Sequence, residues 1–186
     1  VPAGRTTALD VNDYAWSADG RRLLIFTNTS RVWRANTRGD YWVLDIPSGR
    51  LRQIGRGAAP SSLLFAKFSP DGTRVAYVRG NDLYVERLDS GRATRLTRDG
   101  SATTINGTTD WVYEEELSLR DAFRWSPDGT HIAYWQFDST GVGVYSLVNT
   151  TDTLYPVVTT IPYPKVGTTN SAVRVGVVAA GGGRTR

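Results

Sequence analysis

One phrase occurs three times in this chain, and it restricts the fold more than any other feature. WSADGRRLLIF begins at Trp16, FSPDGTRVAYV at Phe68 and WSPDGTHIAYW at Trp125, at spacings of 52 and 57 residues. Each copy runs from an aromatic residue and a serine through a tight turn into alternating apolar positions. Asp-Gly suits the turn because glycine adopts positive φ at little cost, and proline pre-sets φ in the second and third copies. The period-two flanks predict a β-hairpin for each copy. A second phrase follows each first: YWVLDIPSGRLRQI (41–54), LYVERLDSGRATRL (83–96) and VRVGVVAAGGGRTR (173–186), again a strand, a turn with glycine and a basic strand. Two hairpins per repeat make four strands, and four-stranded units at this period mark propeller blades. A β-sandwich with similar turns is the alternative. The expected fold is all-β: an incomplete β-propeller of about three four-stranded antiparallel blades, at about 11–55, 62–97 and 103–186. A closed ring takes roughly four to eight blades. The third unit stops just after its turn, so the natural polypeptide is expected to continue.

Composition removes several function classes. At 186 residues and 40% hydrophobic content the chain can bury a core. It has no cysteine and one histidine, which excludes disulfides, thiolate chemistry and the usual metal-ligand spacings. No G-x-x-x-x-G-K-[ST] loop is present, GGG at 181–183 reads as a turn, and no cofactor is expected. No stretch approaches the ~18 apolar residues of a membrane span. Methionine is absent, so the chain is a mature form, an excised fragment or part of something longer. The pI near 9.6 raises nucleic acid as a partner. Against it, Lys67 and Lys165 are the only lysines, and the arginines are scattered in ones and twos. The charge is instead segregated. Between Asp99 and Asp138 eight acidic residues face two arginines, leaving −6 there and +10 elsewhere.

That acidic segment centres on DWVYEEELSLRDAF (110–123). No β-branched residue occurs from 114 to 123, and Glu, Leu, Arg and Ala favour helix. Asp110 is placed to cap a helix N-terminus, glutamates suit that end of the dipole, and Glu116 and Arg120 stand i,i+4. A short helix carrying Glu114, Glu115 and Glu116 is therefore predicted to interrupt the sheet ahead of the third WSPDG.

The stretch TDWVYEEE, with WSPDGTHIAYWQF and IPYPKVG after it, closely resembles the propeller of the dipeptidyl peptidase IV family of serine peptidases, over about residues 14–178. The resemblance implies that Glu115 and Glu116 bind the free α-amino group of a peptide substrate. It also implies that Arg34, in RVWRAN, holds the substrate's peptide carbonyl, and that Glu114 matters less. Two carboxylates suit an ammonium, which offers three donors and needs charged partners once buried. In the family the reaction itself, removal of N-terminal dipeptides, belongs to a Ser-Asp-His triad on an α/β-hydrolase domain. No G-x-S-x-G occurs here, so no catalytic residue is assigned to this chain and it alone should hydrolyse nothing. Its single histidine, His131, lies in a strand and reads as structural. LSL (117–119) lacks the aromatic residue that often helps line the family's pocket. A G-x-S-x-G further along the parent polypeptide would mark the peptidase; its absence would favour a non-catalytic β-propeller acting as a binding scaffold.

The resemblance further implies a homodimer through an extended arm, placed at 136–165, and a periplasmic or secreted location. Arginine-over-lysine usage points to a bacterial source, so the sequons at Asn28, Asn106 and Asn149 read as chance matches. Within the arm VGVYSL and TLYPVVTTI alternate, and Pro156, Pro162 and Pro164 suit an edge or a stiff arm rather than a central strand.

Overall fold

The computed structural model describes residues 1–2 and 6–186. The three repeated phrases are hairpins. The first lies between β1 (Val11–Trp16) and β2 (Arg22–Val32), the second between β5 (Leu63–Phe68) and β6 (Arg74–Arg79), and the third between β10 (Phe123–Trp125) and β11 (His131–Asp138). Each turn is built alike. The serine amide donates to the carbonyl of the residue opening the next strand, at 2.9 Å in all three. That residue's own amide donates back to the serine Oγ, at 2.9–3.0 Å. The hydroxyl in turn donates to the aspartate two residues on, from Ser17 to Asp19, Ser69 to Asp71 and Ser126 to Asp128. Serine and aspartate thus recur because each satisfies a backbone group that the tight turn would strand.

The second phrases form β3 (Ala35–Asp45) with β4 (Arg50–Gln53), and β7 (Asp82–Arg87) with β8 (Ala93–Arg95). In the third unit β14 (Ala172–Ala179) follows, and Arg186 exchanges both backbone bonds with Val177, so the return strand begins to pair. Strands β1 to β4 and β5 to β8 are antiparallel meanders. They join because β3 outgrows β4 and pairs with β5 through Arg38↔Leu64 and Gly39↔Leu63. The apolar core lies between successive sheets. Leu24, Val43, Ile54, Leu63, Val75 and Tyr77 fill the first interval. Val78, Leu83, Phe123, Ile132, Tyr134 and Val178 fill the second. Polar ties repeat alongside them: Arg22 donates to the Gly72 carbonyl at 3.0 Å, and Arg74 donates to that of Gly129 at 2.9 Å. The architecture is an arc of a β-propeller, open at both ends, of about three blades.

The third unit departs from the other two. Strand β11 pairs along its full length with β14 on one side. On the other side it pairs with two short strands lying in line, β9 (Thr104–Asn106) and β10. The chain leaves that line at Gly107 and returns at Ala122. The Gly107 amide donates to the Trp135 carbonyl at 3.0 Å, and the Trp135 amide donates to that of Ala122 at 2.9 Å. Glycine is required at the exit: φ is +77°, and a Cβ there would lie 2.7 Å from Leu83.

Two expectations need correction. The helix α1 spans Trp111–Glu115 with Glu116 as its C-cap, earlier and shorter than propensity over 114–123 implies. Tertiary bonds override propensity: Thr108 and Thr109 donate their hydroxyls to the carbonyls of Arg120 and Leu119, at 3.1 and 2.6 Å, zipping the return chain beside the departing one. Consequently Arg120 pairs with Glu114 at 3.1 Å, not with Glu116. The arm also begins later than residue 136, because Gln136 to Asp138 are the last residues of β11. What projects is β12 (Val144–Asn149) with β13 (Val157–Pro162), a hairpin bonded to no other sheet. No helix among the described residues is long and apolar enough to cross a membrane.

The turns carry an acid sensitivity. The bond from Ser126, then those from Thr130, hold the Asp128 carboxyl down to about 2. At Asp71 partial burial pushes the other way, yet the bonds from Ser69 and Thr73 bring it to about 2 as well. A folded pKa depressed below the unfolded 3.8 gives stability that is complete above that value and is lost as pH falls through the folded value. The double variant Asp71→Asn with Asp128→Asn should therefore melt lower than the parent at about pH 6, and its Tm should fall less between about pH 5 and 2.5. Circular dichroism melts check this; equal slopes would free the turns of the acid effect.

Candidate functional site

The departure from the sheet at Gly107 creates a stalk. Its two sides are laced by Ala122 N–H to Gly107 O, an isolated bridge of Thr108 with Asp121, and the two threonine hydroxyls. At its tip Asp110 caps α1, as the sequence suggested: its Oδ1 accepts the Tyr113 amide at 3.1 Å. Its Oδ2 accepts the hydroxyl of Ser171, from the segment returning after the arm, at 2.6 Å. The helix ends within two turns, where Leu119 N–H reaches back to Tyr113 O and Ser118 takes a positive φ of 54°.

The three glutamates diverge from this helix. Glu114 points inward, is buried, and pairs with Arg120. Burial, opposed by the Arg120 bond, pushes its carboxyl above the usual range. Glu115 has a side chain 4% exposed, and its Oε2 pairs with Nε of Arg34, whose own side chain is 78% exposed. The other oxygen, Oε1, is buried without a hydrogen-bond partner. Glu116, at the C-cap, is exposed. Arg34 arrives from the first unit, on the two-residue turn joining β2 to β3, where Trp33 holds a φ of 44°. A bulky residue is strained in that region. Arg31 Nε steadies the turn by donating to Trp33 O at 3.0 Å.

Arg34, Glu115 and Glu116 line one cleft of about 960 Å³. Its other walls are largely apolar and aromatic: Trp33, Trp111, and Tyr145, Leu147, Ile161 and Tyr163 of the arm. Trp111 packs on Tyr163 at 4.5 Å between ring centroids, and Tyr145 on Tyr163 at 5.5 Å. Chemically this is a concave site with a carboxylate pair at one end, one cation set against it and an aromatic wall. The three residues picked out in the sequence are brought together across 82 positions of chain. Sequence reasoning missed the aromatic wall; Tyr145 lies on the alternating strand β12 and Tyr163 just after β13, and the alternation does not tell which face meets α1. His131 is exposed at the start of β11, with Nδ1 against Thr130 Oγ1 at 2.8 Å, remote from the cleft. Among the described residues no group of three His, Cys, Asp or Glu could hold a metal ion.

Fold and site together define a β-propeller domain with a short acidic helix inserted in its third blade. Residues 17–186 match the Dipeptidyl peptidase IV (DPP IV) N-terminal region, and the chain belongs to that family. It is 37% identical to dipeptidyl peptidase 4 of Felis catus over 172 residues, covering 90% of this chain and 22% of that protein. It is 38% identical to dipeptidyl aminopeptidase B of Saccharomyces cerevisiae over 167 residues, covering 87% and 20%. The crystal structure of Porphyromonas gingivalis dipeptidyl peptidase 4 superimposes with a TM-score of 0.90 at 28% identity, over 100% of this chain and 26% of that one. The chain thus spans about a fifth of the curated relatives it matches.

The Glu114–Arg120 pair should hold the helix to its stalk. Arg120→Met leaves a buried carboxylate without its cation, and is expected to cost about 1–3 kcal/mol. Glu114→Gln keeps a hydrogen-bonding side chain and should cost less. Urea unfolding of the two variants checks the order; a larger loss for Glu114→Gln would contradict it.

Proposed function

We propose that this chain is the substrate-recognition propeller of a dipeptidyl peptidase, and that Glu115 and Glu116 dock the free N-terminus of the peptide. The observation that carries the reading is the state of Glu115. A buried carboxylate oxygen without a donor is costly unless a ligand supplies one. An α-ammonium supplies three, enough for the Glu115 oxygen and for Glu116. Arg34 then turns from Glu115 to the carbonyl of the first peptide bond, for which a guanidinium is a suitable donor. The aromatic wall suits an apolar side chain on the first residue.

Fixing the amine fixes the register of everything behind it. A nucleophile held at one distance from the carboxylate pair reaches the same peptide bond in every substrate, so cleavage releases dipeptides. The names of the relatives support this reading. The nucleophile and base belong to a hydrolase domain elsewhere in the parent polypeptide. Location, periplasmic or secreted, follows the family resemblance alone.

In the full-length enzyme, Glu115→Gln or Glu116→Gln should cost about 2–5 kcal/mol in kcat/KM toward peptides with a free amine, the usual loss on truncating one partner of a buried charged pair. N-acetylated peptides should be unaffected by the same changes. Equal losses on both kinds of substrate would sink the docking role.

We further propose that the parent protein is a homodimer and that the β12–β13 arm lies in its interface. A lone two-stranded hairpin is marginal in water. This one exposes Val144, Val148, Leu154 and Val158, with Leu154 at 90%. Such a surface is stabilised by a partner. Deleting residues 140–158 should yield a monomer by light scattering; a dimer that survives the deletion, or a parent that is already monomeric, would overturn this.

A further inference from the structure

The stalk is held from the neighbouring blade by a half-buried cation. Lys67, on β5, donates from Nζ to both oxygens of Asp121, at 2.5 and 2.6 Å, and to the carbonyl of Phe123 at 3.0 Å. The ammonium also sits 3.7 Å from the centroid of the Phe123 ring. It therefore grips the return side of the stalk at its root, where Asp121 bridges Thr108. Strand β5 is distorted to bring it there. The register slips between Leu64 and Lys67, and Phe65 takes a φ of 53°, which a bulky residue adopts only under constraint.

The lysine is poorly suited to mere filling. Burial draws its ammonium down to about 8, against the pull of Asp121, so the site keeps a charge that is costly to desolvate. An apolar residue of similar volume would pack between two blades without that cost. What the lysine adds is direction. Asp121 adjoins Arg120, Arg120 Nε donates to Glu114, and Glu114 adjoins Glu115. Side chains and backbone thus form one continuous path from the second blade to the carboxylates of the cleft. Arg124 also reaches Asp121, at 3.0 Å, but from an exposed side chain on the stalk's own strand, so it cannot tie the stalk to another blade.

We infer that Lys67 is a positioning residue for the amine-docking pair: through Asp121 it fixes the stalk so that Glu115 and Glu116 face Arg34 across the cleft. This role rests on the reading of those glutamates given above, and the test separates the two. The full-length enzyme is assayed with a free-amine Gly-Pro chromogenic substrate and with its N-acetylated form. For Lys67→Met, KM for the free-amine substrate should rise about tenfold or more, the scale on which misplaced binding groups act, with kcat within about twofold. Residual turnover of the acetylated substrate should not move. Lys67→Arg, which keeps a donor for the carboxylate, should recover most of the loss. Should Lys67→Met fail to fold, Asp121→Asn decides, since it keeps the shape of the stalk and removes the partner charge; it should raise KM alike. Normal KM in the folded lysine variant, or in Asp121→Asn, while Glu115→Gln raises it, would overturn the positioning role and leave the docking pair standing. If neither glutamate variant alters KM, the docking reading fails, and this inference with it.

Discussion

Both backbone groups of Trp135 are committed to a strand that is not continuous. Its carbonyl accepts from Gly107 and its amide donates to Ala122, while Ala122 donates to Gly107. Three hydrogen bonds thus close the gap between β9 and β10, and the sheet meets one strand where the chain supplies two. Every feature of the cleft depends on this closure, because it lets residues 108–121 leave the sheet without stranding ladder groups. The position of the break matters. The interrupted strand lies at the edge of its sheet, paired on one side only, so few partners are lost. An insertion of the same length in β11 would break pairings on both flanks.

The blades are tied by polar contacts that repeat with the sequence. Arg22 and Arg74 occupy equivalent places after the turn, and each donates to the glycine carbonyl in the turn of the following unit. His131 holds that place in the third. Around these ties are contacts that do not repeat. Glu86 accepts the Gly55 amide at 2.8 Å and pairs with Arg52 at 3.3 Å, joining the first two units. Asp99 accepts from Asn106 and Gln136, joining the second and third. Such pairs between neighbouring blades fix the angle at which each follows the last. The angle sets the reach of Arg34 from the first unit to Glu115 in the third.

How much of this was legible in the sequence depends on the range of the forces involved. The hairpins of the repeated phrase were legible because turn chemistry is local, from serine, aspartate and glycine within five positions. The cap at Asp110 was legible for the same reason. The length of α1 was not: it is ended by threonines from the other side of the stalk, and helix propensity carries no information about them. The end of β11 was misplaced for a different reason, since QFD continues the alternation of HIAYW and could have been read with it. The strands of the arm were visible in VGVYSL and VVTTI. Arg34 was singled out by family resemblance alone; no spacing rule relates it to Glu115. Lys67 gave no signal at all, since its partner lies 54 residues away and its bulge has no glycine to announce it.

Three acidic residues around α1 are ion-paired once the chain is folded, and by cations from different places. Arg120 takes Glu114 from within the stalk, Lys67 and Arg124 share Asp121, and Arg34 takes one oxygen of Glu115. Among the described residues no ion pair involves Glu116. At the cleft the unmatched acceptors are one exposed carboxylate and one buried oxygen without a donor. A pair of carboxylates wholly free of cations would repel one another and draw protons. A pair wholly matched by arginines would leave no acceptor for a ligand. Arg34 resolves this conflict by its exposure: it sits on a turn, at the end of a flexible side chain, and surrenders a solvent-screened contact if it moves. Arg120 and Lys67, less exposed and held by the stalk or the sheet, have less such freedom. A net-basic chain can thus gather negative charge at one helix: Glu114 and Asp121 are answered by cations of the stalk and of the neighbouring blade, and Glu115 faces an arginine on an exposed turn.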